Sequence, residues 1–258
     1  MSNDFNLDGF HYQADSVTRD AEQYPRIWWY NGVKQAGTAG HFYTSEREFP
    51  NAPTDPWTQV ERYDDEVGYM TENLLVAMIR RRSQAYTEDR TTNTKTWHPH
   101  YKPGMRIYTE ILCLVKGIDE PVVWVVKGMT GKAVTGRKVG IVDTFAEAVL
   151  KPAQASWKHG QVPPWAFWML ITGARGDKGK PVYTDTGYGS TVTLPSLAGV
   201  PATVTRDTLT TLYVGRDMLD FGLEVYKSSA EWAKTQRTND EVPATPTAQA
   251  SEDSVEPF

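Results

Sequence analysis

Between Leu74 and Leu194 the chain sets down three strand patterns, one helical pattern and two further strand patterns, and this order restricts its possible folds more than any other feature. Leu74 to Arg82 is apolar and then basic, Met105 to Lys116 is rich in β-branched and apolar residues, and Pro121 to Lys127 contains Val122, Val123, Trp124, Val125 and Val126. The short turn Gly117 to Glu120 joins the second run to the third. Val142, Phe145 and Val149 then recur at helical spacing, in a helix expected to end by Pro152. Trp165 to Thr172 and Pro181 to Leu194 supply the last two strand patterns. Upstream, Ile27, Trp28, Trp29 and Tyr30 precede Asn31-Gly32, a hairpin signal, with Gly40 to Tyr43 as the return strand and a proline-rich link from Pro50 to Pro56. Downstream, Leu219, Leu223, Tyr226, Ala230 and Ala233 recur three and four apart, giving helices that dock on the body or on a second subunit.

Three strands, a helix and two strands is the order of an OB-fold. The expected class is therefore α+β, mainly β: an OB-fold-like five-stranded barrel with an N-terminal β extension and C-terminal helices. The corresponding divisions are 1–60 for the extension, 61–200 for the nucleic-acid-binding core, 201–237 for the helical segment and 238–258 for a tail. In such a barrel the first-to-second and fourth-to-fifth connections flank the ligand face. Here they are Ser83 to Gly104, with Arg90, Lys95, Trp97, His98, His100, Tyr101 and Lys102, and the glycine-rich, net positive Gly173 to Lys180.

Holding a single nucleic-acid strand takes cations along the phosphates and aromatic faces under the bases. Of the nine tryptophans, Trp97 lies near Lys95 and Lys102, and Trp157 precedes Lys158, so these two and Tyr101 are the stacking candidates. Trp124, Trp165 and Trp168 sit in apolar runs and are assigned to the core, while Trp28 and Trp29 alternate faces so that one of them is exposed. Arg80 and Arg82 share a strand face, with Arg81 on the other. Lys127, Lys132, Arg137 and Lys138, set among glycines, together with Arg175, Lys178 and Lys180, complete the candidate phosphate contacts.

The chain has 27 basic and 32 acidic residues, and five of the acids fall after Thr238, leaving 27 of each in the body. A neutral body does not suit a tight duplex binder, which needs a basic surplus, but it suits a local groove that also stacks bases. The acidic, Pro/Ala/Thr/Ser-rich end has too little apolar surface to order itself, so disorder is expected there. It finishes Glu252-Asp253-Ser254-Val255-Glu256-Pro257-Phe258. A terminal phenyl ring beside a carboxylate fits an apolar pocket rimmed by basic residues on another protein. This ending resembles the tail of bacterial and phage single-stranded-DNA-binding proteins, with Ser254, Val255 and Glu256 where that family carries a denser acid run and Ile. The resemblance implies single-stranded DNA as ligand and recruitment of replication and recombination proteins through Glu252, Asp253, Glu256, Pro257 and Phe258. It also implies no catalysis and a cytoplasmic location, that of the host for a phage protein.

Several other chemistries lack their residues. Gly131-Lys132 is no P-loop, since Val126 stands where the first glycine belongs and Ala133 where Ser or Thr would bind magnesium. His98-Pro99-His100 has no accompanying ligand pair, so no metal or other cofactor is expected. Cys113 lies in an apolar run and reads as a buried hydrophobe. No apolar run approaches the ~20 residues of a spanning helix, so no membrane partner is expected. Two alternatives stay open: a metal-dependent nuclease built on Asp64, Asp65 and Glu66, and a phage structural or adaptor protein. For the single-strand reading, homodimerisation through the C-terminal helix stays open.

Overall fold

The structure is a computed structural model that describes residues 24–32, 34, 37–49, 53–54, 56–61, 67–89, 91–92, 94–157, 160–187 and 190–236. It is α+β and mainly β. The three central strands form where the hydrophobic pattern predicts them: β5 (Asn73–Asp89), β7 (Arg106–Val115) and β8 (Val122–Lys127), since β1 (Arg26–Tyr30), β2 (His41–Ser45), β3 (Thr58–Glu61), β4 (Val67–Thr71) and β6 (Thr94–His98) precede or intervene. The fourth predicted strand narrows to β9 (Met169–Gly173). The fifth divides into a separate hairpin of β10 (Tyr183–Asp185) and β11 (Thr191–Thr193), followed by β12 (Pro195–Ala198).

Ten strands form one mixed sheet in the order β12-β9-β5-β7-β8-β1-β2-β4-β3, with β6 paired to the distal half of β5. β5–β7, β7–β8 and β5–β9 pair antiparallel, whereas the expected fifth strand, Pro181–Leu194, stands outside this sheet and β12, which follows it, pairs with β9 instead. The expected five-stranded closed barrel does not form among the described residues. Its closing pair would need the free edge of β8, and β1 occupies that edge in parallel register, with Trp28 opposite Val125. Instead, Thr193 of β11 ties the segment leading into β12 to the β1–β2 turn. Thr193 is fully buried, its hydroxyl oxygen accepts from the Gly32 and Gly40 amides at 2.6 and 3.1 Å, and its carbonyl accepts from Trp29 Nε1 at 2.9 Å. A Cβ on Gly40 would lie 2.7 Å from that hydroxyl, so only glycine allows the approach.

The helical segment after β8 comprises α1 (Gly128–Thr135), α2 (Ile141–Phe145) and α3 (Lys151–Ser156). Pro152 does not end it, contrary to the sequence expectation. A π turn over Ala146–Leu150 widens the helix immediately before the proline, where a regular turn would need its missing N–H and would crowd the ring against the preceding carbonyls. The C-terminal segment forms α4 (Arg206–Leu212), begun by a Thr205/Thr208 capping box, then α5 (Arg216–Ser228) and α6 (Ala230–Lys234). These helices dock on the chain's own sheet. Trp165, fully buried, donates Nε1–H to the Leu219 carbonyl at 3.1 Å and stacks on Tyr226 with centroids 5.2 Å apart, and its indole fills the space a side chain on Gly222 would need. Trp124 and Trp168 are buried in the same core, as their apolar runs predict. No helix among the described residues is long and apolar enough to cross a membrane.

The tie at Thr193 is testable. Thr193→Val keeps the shape and removes the acceptor of two backbone amides. It is expected to lower unfolding free energy by about 1–3 kcal/mol, read from urea denaturation. Thr191→Val, at the exposed start of the same strand, is expected to stay within about 0.5 kcal/mol of the parent.

Candidate nucleic-acid interface

Strand β5 has a register irregularity between Met78 and Arg80, and beyond it alternate residues present one continuous face. Arg80, Arg82, Gln84 and Tyr86 lie opposite Leu112, Glu110, Tyr108 and Arg106 of β7, and Tyr108 lies opposite Lys127 of β8. This face has two halves of different character.

The first half is covered by helices. Arg80 donates from Nε and Nη2 to the Tyr226 carbonyl at 3.0 and 2.7 Å and lies 3.6 Å from the centroid of the Tyr226 ring. Arg82 donates to Glu110 at 2.6 Å and to the Trp232 carbonyl at 2.9 Å, with its guanidinium 4.4 Å from the Trp232 ring. Contacts of this type contribute about 0.5–2 kcal/mol each. The Arg80 and Arg82 side chains, candidates for phosphate contact in the sequence, are thus committed to holding α5 and α6. They do share a face, as strand alternation requires, and Arg81 lies exposed on the other.

Among the described residues the second half carries partly exposed rings and cations. The connection after β5 is a regular hairpin rather than a loop: β5 continues to Asp89 and β6 returns from Thr94, with Tyr86 opposite Trp97. Tyr86, Trp97 and Tyr108 make a three-ring cluster, Trp97 standing 5.4 Å edge-to-face from Tyr108 and 5.5 Å from Tyr86. Tyr86 is buried beneath the other two, which are half-buried and keep ring surface at solvent. Lys95 Nζ lies 5.8 Å from the Tyr86 centroid, and Arg106 bridges to Glu88 at 2.7 Å. Lys127 ends this row without an ion-pair partner among the described residues. The arrangement offers flat π surface with positive charge on either side, which is the chemistry of base stacking combined with phosphate attraction.

The remaining candidates are distributed elsewhere. Tyr101 is 57% exposed and Lys102 is exposed, both in the turn from β6 to β7. Lys132, Arg137 and Lys138 are exposed on α1 and the turn after it, and the Lys138 amide donates to Asp143 at 2.8 Å. Trp157 packs against the core at the end of α3, while Lys158 lies outside the described residues. In the β9–β10 loop Arg175 pairs with Glu72 at 3.0 Å and donates to the Gly179 carbonyl at 3.0 Å. Lys178 and Lys180 of that loop are exposed and have no partner among the described residues. Of Trp28 and Trp29, Trp29 is the buried one and Trp28 is half-buried on the opposite face.

Sequence reading missed Tyr86, Tyr108, Gln84 and Arg106. A signal was present: the threonine-rich stretches at Thr87 and Thr94–Thr96, separated by Thr91-Thr92-Asn93, have the β-propensity and turn residues of a hairpin. Asp64, Asp65 and Glu66 lie outside the described residues, as does everything from Arg237 to Phe258, including Glu252, Asp253, Glu256, Pro257 and Phe258. Among the described residues no group of three or more His, Cys, Asp or Glu is placed to hold a metal ion. Cys113 is buried and hydrogen-bonds to the Val122 carbonyl, and burial pushes its thiol up to about 12. It therefore has none of the thiolate character a nucleophile needs. Comparison with protein-family models, curated proteins and solved structures returned no match.

Two outcomes check this description. Arg82→Ala removes the cation paired with the Glu110 carboxylate, whose side chain is only 3% exposed, and is expected to destabilise the fold by about 3–5 kcal/mol in urea denaturation, whereas Arg81→Ala should change little. Cys113 is expected to react with an aromatic disulfide reagent only on unfolding, so labelling should track the denaturation curve rather than precede it.

Proposed function

We propose that the protein binds single-stranded DNA without sequence preference, by stacking bases on an open sheet face while cations hold the phosphates, and that its acidic C-terminal tail recruits replication and recombination proteins. The observation that carries this reading is the Tyr86–Trp97–Tyr108 cluster, with Lys95, Arg106 and Lys127 on the same side of the sheet. Partly exposed aromatic surface beside cations is a platform on which unpaired bases can stack.

The strand order β5, β7, β8, helix, β9, β12 supports an OB-like core for this activity, with the β5–β6 hairpin as its first flanking connection and Gly173–Lys180 as its second. An N-terminal strand then stands where ladder closure would occur. The net neutrality of residues 1–237 agrees with a local groove and with weak affinity for duplex. A cavity lined by Arg82, Gln84, Tyr108 and Glu110 on the sheet and by Thr235 and Gln236 on the chain beyond α6 supports a second role for the tail. The described chain ends beside the stacking cluster, so the acids that follow start within reach of the same cations. They compete for the groove when DNA is absent, and DNA displaces them to expose Phe258.

Binding of a labelled oligothymidylate, followed by fluorescence anisotropy, tests the proposal. Trp97→Ala and Tyr108→Ala are each expected to weaken binding by about 1–3 kcal/mol, and Lys127→Ala to reduce the dependence on salt by roughly 0.7 in log–log slope. Deleting residues 238–258 should tighten DNA binding and abolish partner recruitment. Equal affinity across these variants, or equal affinity for matched duplex, would contradict it.

A further inference from the structure

The two groups of residues on which the single-strand reading rests lie apart. The hairpin aromatics are at one end of the sheet face, and the unpartnered Lys178 and Lys180 are in the β9–β10 loop. What lies between them is the N-terminal pair β1–β2. Trp28 stands opposite Val125, and Val125 opposite Glu110, so two residues further along their strands Tyr30 and Lys127 face the same side as Tyr108. Tyr30 in turn stands opposite His41, and the two rings are stacked, with centroids 5.9 Å apart and planes within 10°. Tyr43 meets Tyr30 edge-on at 5.0 Å and holds it in place. Both rings of the stack are half-buried and keep part of their surface at solvent. Past His41 the cationic loop arrives: Arg175 pairs with Glu72 at 3.0 Å, and the Tyr183 hydroxyl donates to the Thr38 carbonyl at 2.8 Å.

We propose that the Tyr30–His41 stack is a second base-stacking site, and that a single DNA strand runs from the β5–β6 hairpin over Tyr108 and Lys127 to this stack and on to Lys178 and Lys180. The inference rests on the single-strand reading above and extends it to the strands that precede the core. The path crosses β6, β5, β7, β8, β1 and β2, five inter-strand steps, or about 24 Å at roughly 4.8 Å per step. Lys127 sits between the two aromatic stations, where a bridging phosphate would pass. Burial holds the His41 imidazole below its ordinary pKa, against the opposing pull of Glu72. At neutral pH the ring is thus uncharged and presents a flat π face instead of a hydrated cation.

The test is the affinity of the full chain, at low salt, for oligothymidylates of about 4 to about 16 nucleotides, the span of site sizes for such modules. The parent is compared with His41→Ala and Tyr30→Ala. Both variants are expected to match the parent on the shortest strands and to bind the longest ones roughly five- to 150-fold more weakly, the loss of a stacked base. An identical length dependence in parent and variants, or equal weakening at every length, overturns the second site and leaves the first intact. Failure of the parent to bind any strand overturns the functional reading itself. Because Tyr30→Ala removes a packed ring, photocrosslinking of the unaltered protein to oligothymidylate gives an independent readout. Adducts on Tyr30 or His41 support the path, and adducts confined to Trp97 and Tyr108 overturn it.

Discussion

The buried pair between Arg82 and Glu110 decides where this protein has a surface. Glu110 sits in the middle of β7 with its side chain only 3% exposed, and a carboxylate there is tolerable only with a cation and hydrogen bonds supplied. Arg82 supplies the cation, then spends its remaining donors on the Trp232 carbonyl and its guanidinium face on the Trp232 ring. Arg80 repeats the device one pleat earlier on Tyr226, which Trp165 backs from the other side. Two arginines thereby fix α5 and α6 over one half of a continuous sheet face. The next pleats, at Gln84 and Tyr86, carry no arginine, and beside them Trp97 and Tyr108 keep part of their surface at solvent among the described residues.

That division explains how one sheet provides both a core and a platform. Under the helices the face is closed, with Arg82 and Glu110 paired and both arginines bonded to helix carbonyls. Beyond them it carries tyrosines, a tryptophan and cations, a composition that would be wasteful in a core and awkward on an idle surface. The parallel pairing of β1 with β8 contributes as well: it occupies the edge that closure into a small barrel would need and brings another aromatic pair onto the same side. Thr193 then holds the β11–β12 end against the β1–β2 turn without a closing ladder. The cationic loop is held nearby by the Arg175–Glu72 pair and by the Tyr183–Thr38 hydrogen bond.

The central strands were legible in the sequence because their apolar, β-branched runs are long and bounded by turns, as at Val122–Val126. The core tryptophans Trp124, Trp165 and Trp168 were legible for the same reason. What the sequence did not show depends on tertiary partners. Arg80 and Arg82 read as free cations, since nothing local to them foretells Tyr226 and Trp232 nearly 150 positions away. The helix continued through Pro152 because a single wide turn absorbed the missing donor. The hairpin from β5 to β6 was read as a loop because its residues are polar and its two-sided pattern lacks a buried run, so Tyr86 and Tyr108 were passed over in favour of Trp157, which packs on the core.

The tryptophans themselves provide the most direct measurement. Six of the nine are buried, leaving Trp28, Trp97 and Trp157 with surface at solvent, and of these Trp97 lies in the three-ring cluster. Titrating the intrinsic fluorescence with unstructured oligothymidylate at low salt should give strong quenching that salt reverses, that matched duplex does not produce, and that Trp97→Phe largely removes. No change with single strand at low salt, or the same change in Trp97→Phe as in the parent, would contradict the claim that this open sheet face stacks bases.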